Sequence, residues 1–181
     1  MFYMRYRYYE RLREYDNRLF FWCNHKLSHP ALDLVLKGIT HLGGAAFTIA
    51  VTLSVILFAA GPWPKAGWKS LCALALSHLA AVLVKRTFQR TRPYAALRGA
   101  RISIRPLKDY SFPSGHTTAA FSIAVPFLFT APGLAQILLP LAFIVGMSRI
   151  YLGVHCPSDC LAGGLIGALT ALLVVLLAGA A

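Results

Sequence analysis

Charged residues are scarce in this sequence, and that scarcity argues against a water-soluble fold. Asp, Glu, Lys and Arg make up 13% of the 181 residues, whereas soluble domains usually carry about 25%. Only six residues are acidic, and the mean hydropathy is +0.61. Several apolar stretches approach the roughly 17 to 25 residues that a spanning helix needs. The composition therefore predicts an all-α, polytopic membrane protein.

Other features are missing as well. The first thirty residues lack the apolar central run of a secretory signal peptide. The four cysteines, Cys23, Cys72, Cys156 and Cys160, show no paired disulfide framework. The net charge of +12 would suggest nucleic acid in a soluble protein. Here the cations lie at helix ends and in one loop, so we expect lipid headgroups or a phosphate substrate as partners. No nucleic-acid or obligatory protein partner is expected.

The apolar pattern predicts a bundle of about five spanning helices behind an amphipathic helix. Residues 1–30 alternate arginines with a stripe of apolar side chains, which is typical of a helix in the membrane interface. This stripe comprises Phe2, Tyr6, Tyr9, Leu12, Leu19, Trp22 and Leu27. Residues 31–181 form the predicted membrane domain, with spans at about 34–60 (kinked at Gly43-Gly44), 68–87, 114–130, 134–151 and 157–178.

Three polar segments interrupt this apolar pattern, at residues 85–93, 113–116 and 148–159. Polar residues at membrane depth are costly and usually functional. The predicted topology puts the ends of the second and fourth spans on the same membrane face as the starts of the third and fifth. We therefore expect all three segments to meet there, beside a long polar loop at 88–113.

The residues in these segments suit phosphate chemistry. Lys85, Arg92 and Arg149 can surround a tetrahedral anion, and arginines offer forked donors. Ser114 and Gly115 open the third span together with His116, so backbone N–H groups there can point at the anion. In the last segment, Asp159 can fix the tautomer of His155 and leave its other nitrogen free to attack phosphorus. His116 can then protonate the leaving oxygen.

The segments KRTFQRTRP, PSGH and SRIYLGVHCPSD together resemble the signature of the type 2 phosphatidic acid phosphatase superfamily. The resemblance spans residues 85–159, and no signature position is substituted. It implies that His155 becomes a phosphohistidine and is oriented by Asp159. It also implies that His116 serves as general acid and later as the base that activates water. The implied phosphate-binding residues are Lys85, Arg92, Ser114, Gly115 and Arg149.

The resemblance further implies an integral membrane lipid phosphatase that uses no metal and no organic cofactor. Bacterial members of the family act on undecaprenyl pyrophosphate, phosphatidylglycerol phosphate, phosphatidic acid or lipid A. Undecaprenyl pyrophosphate is the first expected substrate, and phosphatidylglycerol phosphate is the next. The chain departs from many relatives at its N-terminus, where they have a sixth spanning helix and this sequence has only the amphipathic segment.

Two other functions fit the same residues. A lipid phosphotransferase would use the same histidine intermediate, and the sequence does not separate it from a hydrolase. A catalytically silent lipid-binding or lipid-translocating protein is favoured by loss of a signature residue, and none is lost. The third alternative, a zinc site at His155, Cys156, Asp159 and Cys160, lacks a regular paired spacing.

The membrane orientation and one basic run are less constrained by the sequence. The positive-inside rule, applied to the N-terminal arginines, favours a cytoplasmic active site. Bacterial members of the family generally face outward, and we expect the extracytoplasmic face. The basic run, which either binds lipid headgroups or a second phosphate or forms a solvated loop, consists of Arg98, Arg101, Arg105 and Lys108.

Overall fold

The computed structural model describes residues 2–179, and all regular elements among them are helical. The side chains of Phe2, Tyr6 and Tyr9, three members of the predicted apolar stripe, lie outside the described residues. The helices are α1 (Phe2–Phe21), α2 (Pro30–Ile39), α3 (Ala45–Phe58), α4 (Trp63–Phe88), α5 (Pro93–Ala96), α6 (Gly115–Thr130), α7 (Ala135–Tyr151) and α8 (Pro157–Leu177). The predicted helical membrane bundle is thereby confirmed.

Three helical stretches in the described part of the chain are long and apolar enough to cross a membrane. They are Trp63–Ala96, Pro132–Tyr151 and Pro157–Leu177, and the bent pair Pro30–Gly43 and Ala45–Phe58 makes a fourth if it counts as one span. The bend of 55° follows the 3₁₀ turn Thr40–Gly43, where the sequence predicts a kink. The remaining predicted span is α6, whose 16 residues fall just short of a full crossing.

Helix α6 lies at the centre of the bundle and packs most extensively against α8 and α4. Two glycines of α8 make the close approach possible. A Cβ atom at Gly163 would lie 2.5 Å from the carbonyl oxygen of Ser114, and one at Gly167 would lie 2.3 Å from that of Thr118. Small residues at this spacing let the backbones of membrane helices touch. The start of α6 is thus held directly against the start of α8.

Helix α1 presents one face to the bundle and another outward. Leu12, Leu19 and Trp22, from the predicted stripe, are about half exposed. Phe20 and Cys23 are buried instead, in a cluster with Ile150, Cys156 and Cys160 at the ends of α7 and α8. The N-terminal segment is therefore packed onto the bundle, while Leu12, Leu19 and Trp22 of its apolar stripe remain exposed.

Candidate active site

The predicted polar segments meet at one end of the bundle. The end of α4, the connection 89–114, the start of α6, the end of α7 and the start of α8 converge there. A backbone hydrogen bond of 2.9 Å from Ser114 to the carbonyl oxygen of Asp159 joins the second and third segments. The first segment reaches the third through Arg92, whose Nη1 donates 2.9 Å to the carbonyl oxygen of Val154.

His155 lies at the centre of this convergence and is 1% exposed. Its Nε2 is 3.2 Å from Nη1 of Arg92. Because a guanidinium can only donate, Nε2 is the accepting nitrogen and the ring proton belongs on Nδ1. Nδ1 lies 3.6 Å from Oδ2 of Asp159. This is the tautomer in which a carboxylate orients the ring and the opposite nitrogen keeps its lone pair.

The protonation of His155 follows from its surroundings. Burial lowers the pKa of His155 to about 4, and the neighbouring Asp159 carboxylate offsets that effect only in part. Positive charge on Arg149 and Arg92 acts in the same direction as burial. The imidazole is therefore neutral, and able to act as a nucleophile, throughout the physiological pH range.

Asp159 is fully buried and gathers more partners than the sequence predicts. Its Oδ2 accepts a hydrogen bond of 2.8 Å from the backbone N–H of Cys156 and a short one from the Ser111 hydroxyl. Its Oδ1 pairs with Nη1 of Arg90 at 2.8 Å. Sequence reasoning missed Arg90 and Ser111. Arg90 lies within KRTFQRTRP, and Ser111 lies just before PSGH. Their position in or next to a signature segment was the only available signal.

Lys85 and Arg92 are held together by Asp109, another residue that the sequence analysis did not select. Nζ of Lys85 is 2.6 Å from Oδ2 of Asp109, and Nη2 of Arg92 is 2.7 Å from Oδ1. Burial alone would raise the pKa of Asp109, but Lys85 and Arg92 lower it to about 2. An ionised carboxylate thus binds the two cations that were predicted to hold phosphate.

Arg149 completes the cationic set from the end of α7, and it is 2% exposed. Its Nη1 donates 2.8 Å to the hydroxyl of Thr40 in the 3₁₀ turn. Its buried Nε has no hydrogen-bond partner among the described residues. Buried donors of this kind are costly unless a ligand satisfies them. Arg149 therefore keeps a buried donor that could serve the phosphate-binding role predicted for it.

The start of α6 faces the same region. Ser114 is buried at the N-cap, and its Oγ accepts 3.0 Å from the hydroxyl of Thr117. A Cβ at Gly115 would meet nothing within 4 Å, so there is space above this helix terminus. His116 is half-buried against Gly44, where a Cβ would come within 3.9 Å of its Nε2. Its ring makes no hydrogen bond to the described residues.

Cys156 lies within the third segment and Cys160 directly follows it, and both cysteines are buried. Burial raises the pKa of Cys156 to about 12, so its thiol stays protonated. The thiol of Cys160 donates 3.4 Å to the carbonyl oxygen of Gly146 in α7. Among the described residues, no group of three or more His, Cys, Asp or Glu side chains is arranged to hold a metal ion. The structure thus offers no support for the alternative zinc site.

One member of the basic run has a defined partner. Arg101 forms a two-pronged ion pair with Asp33 at 2.7 and 3.0 Å, and its guanidinium lies 5.3 Å from the ring centre of Tyr151. The buried Asn24 bonds the backbone of Arg101 in both directions, at 2.8 and 2.9 Å. Arg101 therefore fastens the loop to α2, α7 and the N-terminal segment.

Comparison with known proteins identifies relatives of this site. A family model described as PAP2 superfamily matches residues 66–181. Phosphatidylglycerophosphatase B of Bacillus subtilis is 32% identical over 165 residues, covering 82% of this chain and 76% of that protein. Undecaprenyl-diphosphatase BcrC of the same organism is 30% identical over 151 residues, covering 80% and 75%. The crystal structure of Aquifex aeolicus LpxE matches with a TM-score of 0.78 at 29% identity, covering 87% and 93%. Across several curated relatives, the chain spans between 41% and 78% of their length.

Proposed function

The chain belongs to the PAP2 superfamily, and on that premise we propose that it is a membrane lipid phosphatase acting through a phosphohistidine at His155. The observation that carries the proposal is the position of the buried His155 imidazole, with Asp159 beside Nδ1 and the guanidinium of Arg92 beside Nε2. Such a pocket attracts a phosphate and presents a nucleophilic nitrogen to it.

The proposed reaction proceeds in two steps. Nε2 of His155 attacks the terminal phosphorus, and the bond from that phosphorus to the leaving oxygen breaks. The leaving oxygen belongs to the lipid alcohol in a phosphomonoester and to the lipid phosphate in a pyrophosphate. His116 gives its proton to that oxygen, and Asp159 stabilises the charge that develops on His155. In the second step, His116 removes a proton from water, which attacks the phosphohistidine and releases inorganic phosphate. Lys85, Arg92 and Arg149, with the N–H groups at the start of α6, neutralise charge on the phosphoryl oxygens.

Undecaprenyl pyrophosphate is the first proposed substrate, and phosphatidylglycerol phosphate is the second. Relatives named for each of these activities match this chain at 30% and 32% identity over most of its length. These two lipids should therefore be tested first. A panel of further lipids is needed as well, because a shared fold does not by itself define the substrate. The phosphorylated headgroup would enter the polar end of the bundle while the tails remain in the membrane.

The test is phosphate release in detergent, with EDTA present, from a panel of lipid phosphates. We expect His155→Ala to lose at least about 10³-fold in kcat, as when a catalytic triad loses its nucleophile. The matched control is His78→Ala, because His78 is exposed on α4 and far along the helix from the site. Wild type should also yield a trapped phosphoenzyme that is labile in acid and stable in alkali. Equal release by His155→Ala would refute the mechanism.

We also propose that the site faces the extracytoplasmic side. Single cysteines at two exposed positions, Arg105 beside the site and Lys65 at the opposite end of α4, provide the test. In intact cells, a membrane-impermeant maleimide should label Arg105→Cys and not Lys65→Cys. The reverse pattern would assign the site to the cytoplasm.

A further inference from the structure

Helix α1 reaches the candidate active site through one carboxylate. Oδ1 of Asp16 accepts 2.8 Å from the backbone N–H of Ser158, and Oδ2 accepts 2.6 Å from the Ser158 hydroxyl. Oδ2 also lies 2.8 Å from Nη2 of Arg90. The Asp16 side chain is only 10% exposed. These bonds join α1 to the first turn of α8 and to the first signature segment.

Arg90 carries this contact onward to Asp159. Its Nη1 donates 2.8 Å to Oδ1 of Asp159 and 2.6 Å to the hydroxyl of Ser158. The two outer nitrogens of the Arg90 guanidinium thus bind two different carboxylates, and this fixes the orientation of the planar group. The resulting chain of contacts runs from Asp16 through Arg90 and Asp159 to Nδ1 of His155.

The electrostatics explain why Asp16 is needed in this series of contacts. Asp159 is fully buried, and a buried carboxylate needs a compensating charge to remain ionised. Arg90 supplies that charge, yet its side chain is 30% exposed and can turn toward water. Asp16 holds the second nitrogen of Arg90 and keeps the guanidinium on Asp159. The docking of α1 does not depend on Asp16 alone, because Phe20 and Cys23 bury an apolar contact nearby.

From this geometry we infer that Asp16 is a positioning residue, which holds Arg90 against Asp159 and so keeps His155 aligned for attack. Asp16 lies outside residues 66–181, the part of the chain that matches the family model. The inference rests on the proposed phosphatase function. It means that the N-terminal helix completes the active site.

The experiment compares Asp16→Ala with Glu14→Ala, because Glu14 is an exposed acid on the same helix. Asp16→Ala should lower kcat about tenfold, an effect typical of residues that orient a reactive ligand. KM and inhibition by inorganic phosphate should change by less than about twofold, since the phosphate-binding cations are untouched. Rates are counted per mole of folded protein, taken from the monodisperse fraction in size-exclusion chromatography, so a smaller folded fraction does not imitate the effect. Glu14→Ala should match wild type.

A double-mutant cycle with Arg90→Ala separates positioning from general support of the fold. If Asp16 acts through Arg90, adding Asp16→Ala to Arg90→Ala produces no further loss of kcat. An equal further loss, or full activity of Asp16→Ala, would overturn the inference. If Asp16→Ala does not fold, Asp16→Asn keeps an accepting oxygen for Ser158 and replaces it in the cycle. An inactive wild type would instead count against the proposed function itself.

Discussion

Lys85, Arg92 and Arg149 lie at the same end of the bundle as His155, and we call these four residues the cationic pocket. Its two sides differ in what holds their charges. On one side, Lys85 and Arg92 are both paired with the carboxylate of Asp109. On the other side, Arg149 has a hydroxyl for a partner, and its Nε has none among the described residues. One side of the pocket is thus paired with a carboxylate of the protein itself, whereas the other side keeps a buried donor that no described residue accepts from.

This difference assigns distinct tasks to the two sides. Arg149 is fixed in a buried position before any ligand arrives, and donors preorganised in this way give the largest stabilisation of developing charge. In the proposed reaction, Lys85 and Arg92 must release Asp109, which is 57% exposed on its loop, before they bind phosphate fully. In the absence of substrate, the ion pairs with Asp109 keep these two cations aligned.

We call the Arg149 side of the pocket the open side and the Asp109 side the occupied side. Removal of the Arg149 side chain should have the largest effect on activity. We expect Arg149→Ala to lower kcat/KM by about 10² to 10³-fold, as loss of a preorganised donor does. Arg149→Lys should recover only part of the loss, because an ammonium lacks the guanidinium fork. Phosphate release under saturating and limiting substrate measures both. Arg86→Ala, an exposed cation beside Lys85, is the control. A loss below tenfold would mean that the two sides are equivalent.

The next prediction concerns the 3₁₀ turn Thr40–Gly43, whose Thr40 hydroxyl accepts the hydrogen bond from Arg149. A Cβ at Gly43 would lie 2.6 Å from the carbonyl oxygen of His116 and 2.7 Å from Val145. Gly43→Ala should therefore push the turn away from α6 and destabilise the fold by roughly 1 to 3 kcal/mol. Thermal unfolding in detergent and kcat should both fall.

Gly38→Ala is the matched control, since a Cβ at Gly38 meets nothing within 4 Å and the residue lies within α2. This change should leave kcat intact and stabilise the helix by about 0.5 to 1 kcal/mol. If Gly43→Ala proves as harmless as Gly38→Ala, close packing of the turn does not maintain the Arg149 side.

The occupied side should respond in the opposite direction. Asp109→Asn removes the carboxylate that competes with phosphate for Lys85 and Arg92. Inorganic phosphate should then inhibit about three- to tenfold more tightly, because a larger fraction of the free protein is ready to bind it. Product-inhibition constants measure this. Weaker inhibition would mean that Asp109 chiefly aligns the two cations and competes little.

The overall fold was largely predictable because it follows from apolar run length and a few helix breakers. The starts of α6 and α8 fall within one residue of the predicted positions, since Ser114 and Pro157 mark them. The structure differs at α4, which begins at Trp63, five residues before the predicted Trp68. Pro64 is accommodated in the first turn of this helix, where its missing N–H does no harm.

The site was predictable only where the signature segments name its residues. Its supporting contacts come from the three-dimensional arrangement of distant segments. Asp16 lies 74 residues from Arg90 and 142 from Ser158, so no local pattern indicates their contact. Asp109 and Ser111 lie in a connection without helical periodicity, and their roles depend on how that loop folds back over α4 and α8. The sequence thus predicts which polar groups meet at one end of the bundle better than it predicts the contacts that align them.

The smallest expected effect is on the pH dependence of kcat/KM, which is determined by the protonation of His155. Its pKa of about 4 lies below the ordinary value of 6.5, so the neutral, nucleophilic form persists in the folded protein down to about pH 4. After correction for the substrate's own ionisation, the acid limb of kcat/KM should lie near pH 4. In the unfolded chain this histidine takes up its proton near pH 6.5, so its contribution to stability is lost as the pH falls from about 6.5 to about 4.

Asp109 should leave that limb unchanged, because its pKa of about 2 keeps it ionised across the same range. The ratio of kcat/KM between wild type and Asp109→Asn should therefore stay constant from about pH 4 to pH 8. Paired pH profiles of the two proteins test this. A ratio that changes with pH would mean that the carboxylate on the occupied side controls the ionisation of the nucleophile. The two sides of the pocket would then be coupled electrostatically, rather than sharing only the phosphate that they bind.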